Sequence, residues 1–137
     1  MASVSGILET ALYVADLRKS AAFYQRLFEF ETLLESDRLV ALDVAGRSVL
    51  LLFIIGSTGE PMELAGGVIP PHGSTGPGHL AFAIDAEEFE PWRARLTADG
   101  VAVESTVAWP GGARSLYFRD LDEHLVELIT PGFWSIY

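Results

Sequence analysis

Two copies of one supersecondary plan fill most of this chain of 137 residues, and that repeat restricts its folds more than any other feature. A repeat has to be recognised first, because each copy is a unit whose apolar faces need covering together. The first half reads as a strand from Ile7 to Val14, a helix near Ser20 to Phe28, and strands near Phe30–Glu35, Arg38–Val44 and Ser48–Ile55. The second half follows the same order: a strand His79–Ile84, a helix ending before Gly100, and strands near Val101–Ala108, Arg114–Arg119 and Leu125–Thr130. The helices align by residue type, Phe23, Tyr24, Arg26 and Leu27 against Trp92, Arg93, Arg95 and Leu96. Each half is therefore βαβββ.

Residues 1–137 are expected to form a single domain: module one at about 5–56, a linker at 57–77, module two at about 78–132 and an aromatic tail at 133–137. The linker is dense in Gly and Pro and shows no periodic segment, which predicts a long loop at a pocket rim. Asp16 and Asp85 stand where helix-capping side chains belong, and Gly100 suits a left-handed stop. Phe89, Trp92, Leu96 and Asp99 share one helical stripe, which predicts that the aromatics there face the sheet. Pro91 would sit best at a first helical position.

Composition narrows the function classes. Half of the residues are hydrophobic, so the excess of 19 acids over 9 bases, a formal charge of −10, belongs to a folding chain rather than a disordered one. No cluster of Lys and Arg exists to neutralise phosphates, which argues against nucleic acid and anionic membrane partners. The longest apolar run, Val49–Ile55, is far short of the roughly 20 residues that a bilayer-spanning helix needs. No secretory signal is visible, so cytoplasmic localisation is expected. Without cysteine, disulfides, thiolate catalysis and cysteine zinc sites are all excluded.

Strand residues alternate between faces, which isolates the polar intruders. Glu9, Ala11 and Tyr13 share one side of the first strand, and His79, Ala81 and Ala83 share the matching side in the second copy. In the last strand Glu127 interrupts the apolar stripe of Leu125 and Ile129. A buried, unpaired carboxylate costs several kcal/mol, so Glu127 requires a counter-ion, hydrogen-bond donors, a metal or a proton. Taken singly, each of Glu9, His79 and Glu127 has an ordinary structural explanation; their joint occurrence at matching repeat positions is what singles them out.

The run Leu8-Glu9-Thr10-Ala11-Leu12-Tyr13-Val14-Ala15-Asp16-Leu17, followed by Ser20, Phe23 and Tyr24, is one of two moderately specific motifs. The other is Tyr117-Phe118-Arg119-Asp120-Leu121-Asp122 leading into Leu125-Val126-Glu127-Leu128. In this order and with the repeat, the sequence resembles the vicinal oxygen chelate superfamily of glyoxalase I, fosfomycin-resistance proteins, extradiol dioxygenases, methylmalonyl-CoA epimerase and bleomycin-binding proteins. The resemblance implies an α+β fold in which two βαβββ modules form a half-open barrel around a divalent metal. It places Glu9 at the first ligand position, Leu51, which cannot bind metal, at the second, His79 at the third and Glu127 at the fourth. Glu29 and Glu123 stand where that family usually carries glycines, which suggests another turn geometry at both.

One imidazole and two carboxylates suit one divalent manganese, iron, nickel or zinc ion per site and leave coordination positions open for a substrate with neighbouring oxygens. The implied function is metal-dependent lyase or isomerase chemistry through an enolate, or a resistance-type addition, with Glu9 or Glu127 as base. One alternative is a metal-free protein sequestering small molecules or antibiotics, as bleomycin-binding proteins do; the acidic charge and Trp109 fit a cationic ligand. A second, extradiol ring cleavage, needs another histidine, which only the linker residue His72 could supply. His124 alternates away from Glu127 along its strand. Trp109, Arg114, Tyr117 and Arg119 complete the candidate substrate pocket, although surface ion pairing is the ordinary expectation for both arginines. Phe133, Trp134 and Tyr137 are too apolar for water and are expected to close the sheet or meet a second subunit, and a homodimer is implied by the resemblance.

Overall fold

The computed structural model describes residues 1–137, which divide into two compact units, Met1–Thr75 and Gly76–Tyr137. In the first unit β1 (Glu9–Val14) leads into α1 (Leu17–Phe28), then β2 (Thr32–Glu35), β3 (Leu39–Val44) and β4 (Ser48–Ile54). The strands lie in the order β1-β4-β3-β2, with β1 parallel to β4 and the other neighbours antiparallel. The second unit repeats this with β7 (His79–Ala83), α2 (Phe89–Ala98), β8 (Ser105–Ala108), β9 (Arg114–Arg119) and β10 (Leu125–Ile129), in the order β7-β10-β9-β8. The class is α+β: two open, four-stranded mixed sheets, neither closed on itself. No helix is long and apolar enough to cross a membrane.

Alternation sorts each sheet into a helix face and a second face. In the first unit Leu12, Val14, Leu42, Leu50 and Leu52 are buried together with Leu17, Ala21, Tyr24 and Leu27 of α1, a helical stripe at three- and four-residue spacing. In the second, Leu80, Leu116, Phe118, Val126 and Leu128 are buried with Phe89 and Leu96 of α2. Trp92 is only half-buried, at the rim of that stripe, with the Arg95 guanidinium 5.6 Å from its ring centre.

Several local expectations are corrected. The segment between the modules is not structureless: β5 (Met62–Leu64) and β6 (Gly67–Ile69) pair as a short antiparallel hairpin in the first unit, each too brief to show a period. Asp85 does not cap: it precedes a 3₁₀ turn, Ala86–Glu88, and its side chain accepts no capping hydrogen bond. Pro91 is the third residue of α2, where its missing N–H has no intrahelical partner to lose. Asp16 does cap α1, accepting from the backbone N–H of Lys19 at 3.0 Å. Capping there starts the helix at Leu17, a turn earlier than the apolar stripe suggested.

Glu29 and Glu123 keep the left-handed conformation, with φ of 59° and 66°. At Glu29 the strain is set against a helix-closing bond from its N–H to the Gln25 carbonyl. At Glu123 a side chain substitutes for glycine's freedom: Asp120 Oδ1 accepts from the N–H groups of both Asp122 and His124, tying the turn around the strained residue.

The two helix ends of α1 therefore carry opposite predictions. Asp16→Ala should cost about 1 kcal/mol, and Glu29→Gly should stabilise by up to roughly 1 kcal/mol. Urea unfolding of both variants measures the two signs directly.

Candidate metal-binding site

The parallel pairing of first and last strands sets the candidate site in each unit. In the second unit His79 lies opposite Leu125, and Ala81 lies opposite Glu127. In the first, Glu9 lies opposite Val49, and Ala11 lies opposite Leu51. Glu9 and His79 are thus equivalent places, as are Leu51 and Glu127, and the repeat seen in the sequence is a repeat of register.

His79 and Glu127 meet on the face of their sheet away from α2, Nε2 lying 3.3 Å from Oε1. His79 Nδ1 lies 2.9 Å from the carbonyl oxygen of Leu125. A carbonyl can only accept, so Nδ1 carries a proton, and Nε2, when the ring is neutral, presents a lone pair. That lone pair faces a carboxylate oxygen, which also only accepts. Two acceptors at this separation need a cation or a proton between them. Ligands at right angles, with bonds of about 2.0–2.2 Å to a divalent metal, hold their donor atoms about 3 Å apart. The pair fits a metal on donor chemistry and on spacing, and the Leu125 carbonyl is the kind of outer partner that fixes a ligating imidazole.

Glu127 is buried, and its other oxygen accepts a 2.6 Å hydrogen bond from Ser115 Oγ. Ser115 in turn accepts from the Trp109 indole N–H at 2.8 Å. Tyr117, directly across the ladder from Glu127, has its pKa raised above the usual 10.0, first by burial and then by the negative charge of Glu127. Its ring centre is 6.4 Å from that of His79. The donors that a buried Glu127 requires are thus present around it.

Other candidate residues go elsewhere. Arg114 falls on the helix face, its guanidinium 3.9 Å from the Phe89 ring centre and 3.3 Å from Glu90 Oε1, so it does not join the cluster. Arg119 shares the cluster's face by alternation, but its guanidinium is held by Glu104, at 3.4 and 3.2 Å, and by the Glu123 carbonyl. His124 is buried and accepts the Gly78 N–H on Nδ1 at 2.8 Å, which fixes the strand entry beside His79.

In the first unit Glu9 is exposed on β1, with Tyr13 on its side of the strand. The Tyr13 hydroxyl lies 2.6 Å from His72 Nδ1, and the imidazole stands edge-on against Phe53, 4.9 Å between centres. Thr58 holds His72 in place by exchanging two hydrogen bonds with its backbone. His72 is therefore a fastened residue on an exposed segment rather than a loose loop histidine. No group of three or more His, Asp and Glu side chains lies close enough to hold one ion.

Ser115 was missed in the sequence, although alternation along β9 places it with Tyr117 on the face that carries Glu127. A serine in a strand has many ordinary explanations, and nothing local announces the partner twelve residues ahead.

The profile of the glyoxalase/bleomycin resistance protein/dioxygenase superfamily matches residues 6–128. This chain belongs to that superfamily. Among superfamily members, the fosfomycin resistance protein FosX of Listeria innocua is 29% identical over 133 residues, covering 91% of this chain and 89% of that protein. A lactoylglutathione lyase from Agrobacterium tumefaciens has a crystal structure similar to this one, with a TM-score of 0.87, 36% identity and coverage of 96% and 98%. FosX of Listeria monocytogenes, crystallised with Mn(II) and a sulfate ion, matches with a TM-score of 0.71, 28% identity and coverage of 96% and 94%.

Because the folded chain holds the Tyr117 proton more tightly than the unfolded chain, rising pH deprotonates the unfolded state first. The contribution of Tyr117 to stability is full below about pH 10 and is lost as the pH climbs through its raised pKa. Tyr117→Phe should therefore flatten the alkaline fall of the stability curve, measured as urea midpoints between pH 9 and 11.

Proposed function

We propose that this superfamily member is a metal-dependent enzyme acting on a small substrate with neighbouring oxygens, by lyase or isomerase chemistry or a resistance-type addition. The observation that carries this reading is His79 Nε2 set 3.3 Å from Glu127 Oε1 while its Nδ1 is taken up by the Leu125 carbonyl. His79 and Glu127 are the ligands, and Glu9 holds in β1 the register place that His79 holds in β7. The oxygen-bearing set suits manganese, iron, nickel or zinc, and the Mn(II) present with FosX supports the first of these. A bound divalent ion supplies a Lewis acid that stabilises negative charge developing on chelated substrate oxygens.

The chain's own residues complete the chemistry. Leu125 holds the imidazole in one tautomer, and Ser115 holds the carboxylate. Tyr117, kept protonated by burial and by Glu127, offers a phenol proton beside the carboxylate. Glu9, exposed and on the side of Tyr13, is the candidate base, since Glu127 is held by donors. Tyr13 and His72 present polar atoms on that side of β1 for a substrate group.

The reading includes a homodimer working in the cytoplasm. Apolar side chains left exposed at Leu33, Leu34, Leu64, Val68 and Ile69 support a second copy, and sedimentation equilibrium should give twice the mass of the chain.

Protein purified without chelator should carry close to one equivalent of transition metal by elemental analysis. His79→Ala and Glu127→Gln should remove it. Absence of metal, with no uptake of manganese, nickel, zinc or anaerobic ferrous iron, defeats the reading. Salt-sensitive binding of a cationic compound to such metal-free protein would instead identify a sequestering protein.

A further inference from the structure

The carboxylate of Glu127 is held by more than its ligand partner. We propose that Ser115 and Trp109 are positioning residues which lock Glu127 into one-oxygen coordination of the divalent ion, an inference that rests on Glu127 being a ligand.

Donor and acceptor chemistry fixes the direction of the chain. An indole N–H can only donate, so the 2.8 Å contact from Trp109 Nε1 makes Ser115 Oγ an acceptor there. The hydroxyl keeps one proton, and the 2.6 Å contact to Glu127 Oε2 receives it, since a carboxylate only accepts. Ser115 is fully buried, so water does not compete for that proton. Carboxylates bind metals through one oxygen or two, and a charge-assisted bond on Oε2 competes with the ion for that oxygen. Oε1 is left as the oxygen that faces His79.

The indole is itself held. Trp109 donates its backbone N–H to Ala113 at 2.8 Å, and its ring packs on Phe133 with 4.4 Å between centres. The tail carrying Phe133 comes close because Gly111 and Gly132 abut: a Cβ on Gly111 would meet the Gly132 carbonyl oxygen at 3.1 Å. Tyr137 adds a 2.6 Å bond to the Ile84 carbonyl. An aromatic tail with no place in the chemistry thus bears on the carboxylate through two hydrogen bonds.

Titration calorimetry of metal-stripped full-length protein with manganese(II) chloride tests this. Ser115→Ala should weaken manganese binding about 10- to 100-fold, the usual loss when an outer partner of a ligand is removed. Trp109→Phe keeps a ring on Phe133 and removes only the donor, so it should give a smaller loss of the same sign. Because Trp109 acts through Ser115, the double variant should bind no more weakly than Ser115→Ala alone, whereas independent structural damage would add. Wild-type affinity in both single variants, with Glu127→Gln failing to bind, overturns the positioning role while leaving Glu127 a ligand. Additive losses in the double variant overturn the relay. Failure of the wild-type protein to bind manganese, nickel, zinc or anaerobic ferrous iron overturns the metal reading itself.

Discussion

Two hydrogen-bond acceptors, His79 Nε2 and Glu127 Oε1, are held 3.3 Å apart by everything around them. With Nδ1 committed to the Leu125 carbonyl, the pair is satisfied only by a cation or a proton between the two atoms. Its persistence depends on the backbone of β7 and β10, whose parallel ladder sets His79 beside Leu125 and Glu127 beside Ala81. A slip of one residue would send His79 or Glu127 to the helix face and destroy the pair.

The sheet also explains why small residues accompany the polar ones. Ala81 opposite Glu127 and Ala11 opposite Leu51 leave the inner positions of the parallel ladders uncrowded, while the helix faces carry Leu80, Val126 and Leu128 in close packing. One face of each sheet packs against its helix, and the other carries the polar side chains. The two units use that second face differently. The second gathers His79, Ser115, Tyr117 and Glu127, whereas the first fastens His72 to Tyr13 against Phe53.

The repeat, the strand faces and the Asp16 cap were legible because each rests on a local period or a local hydrogen bond. Gly100, at φ of 73°, ends α2 as its missing Cβ allows. The β5–β6 hairpin was illegible because three residues are too few to display alternation. Glu29 and Glu123 misled for another reason. A glycine preference is only a matter of about 1 kcal/mol, and a capping bond at one and the Asp120 turn at the other are enough to accompany the strained backbone.

The sequence by itself determined the superfamily plan, the order of strands and the side of the sheet on which Glu9, His79 and Glu127 fall, since these follow from a period of two and a repeated motif. It also determined that Glu127 needed partners, because burying a carboxylate alone is too costly. Only the tertiary structure decided who those partners are. Ser115 and Trp109 come from β9 and the residue after β8, His79 from the first strand of the unit, and Arg114 turns to Glu90 on the helix face. Hydrogen bonds between elements far apart in the chain carry no local signature, so alternation can name the face of a residue but not the atom it meets there.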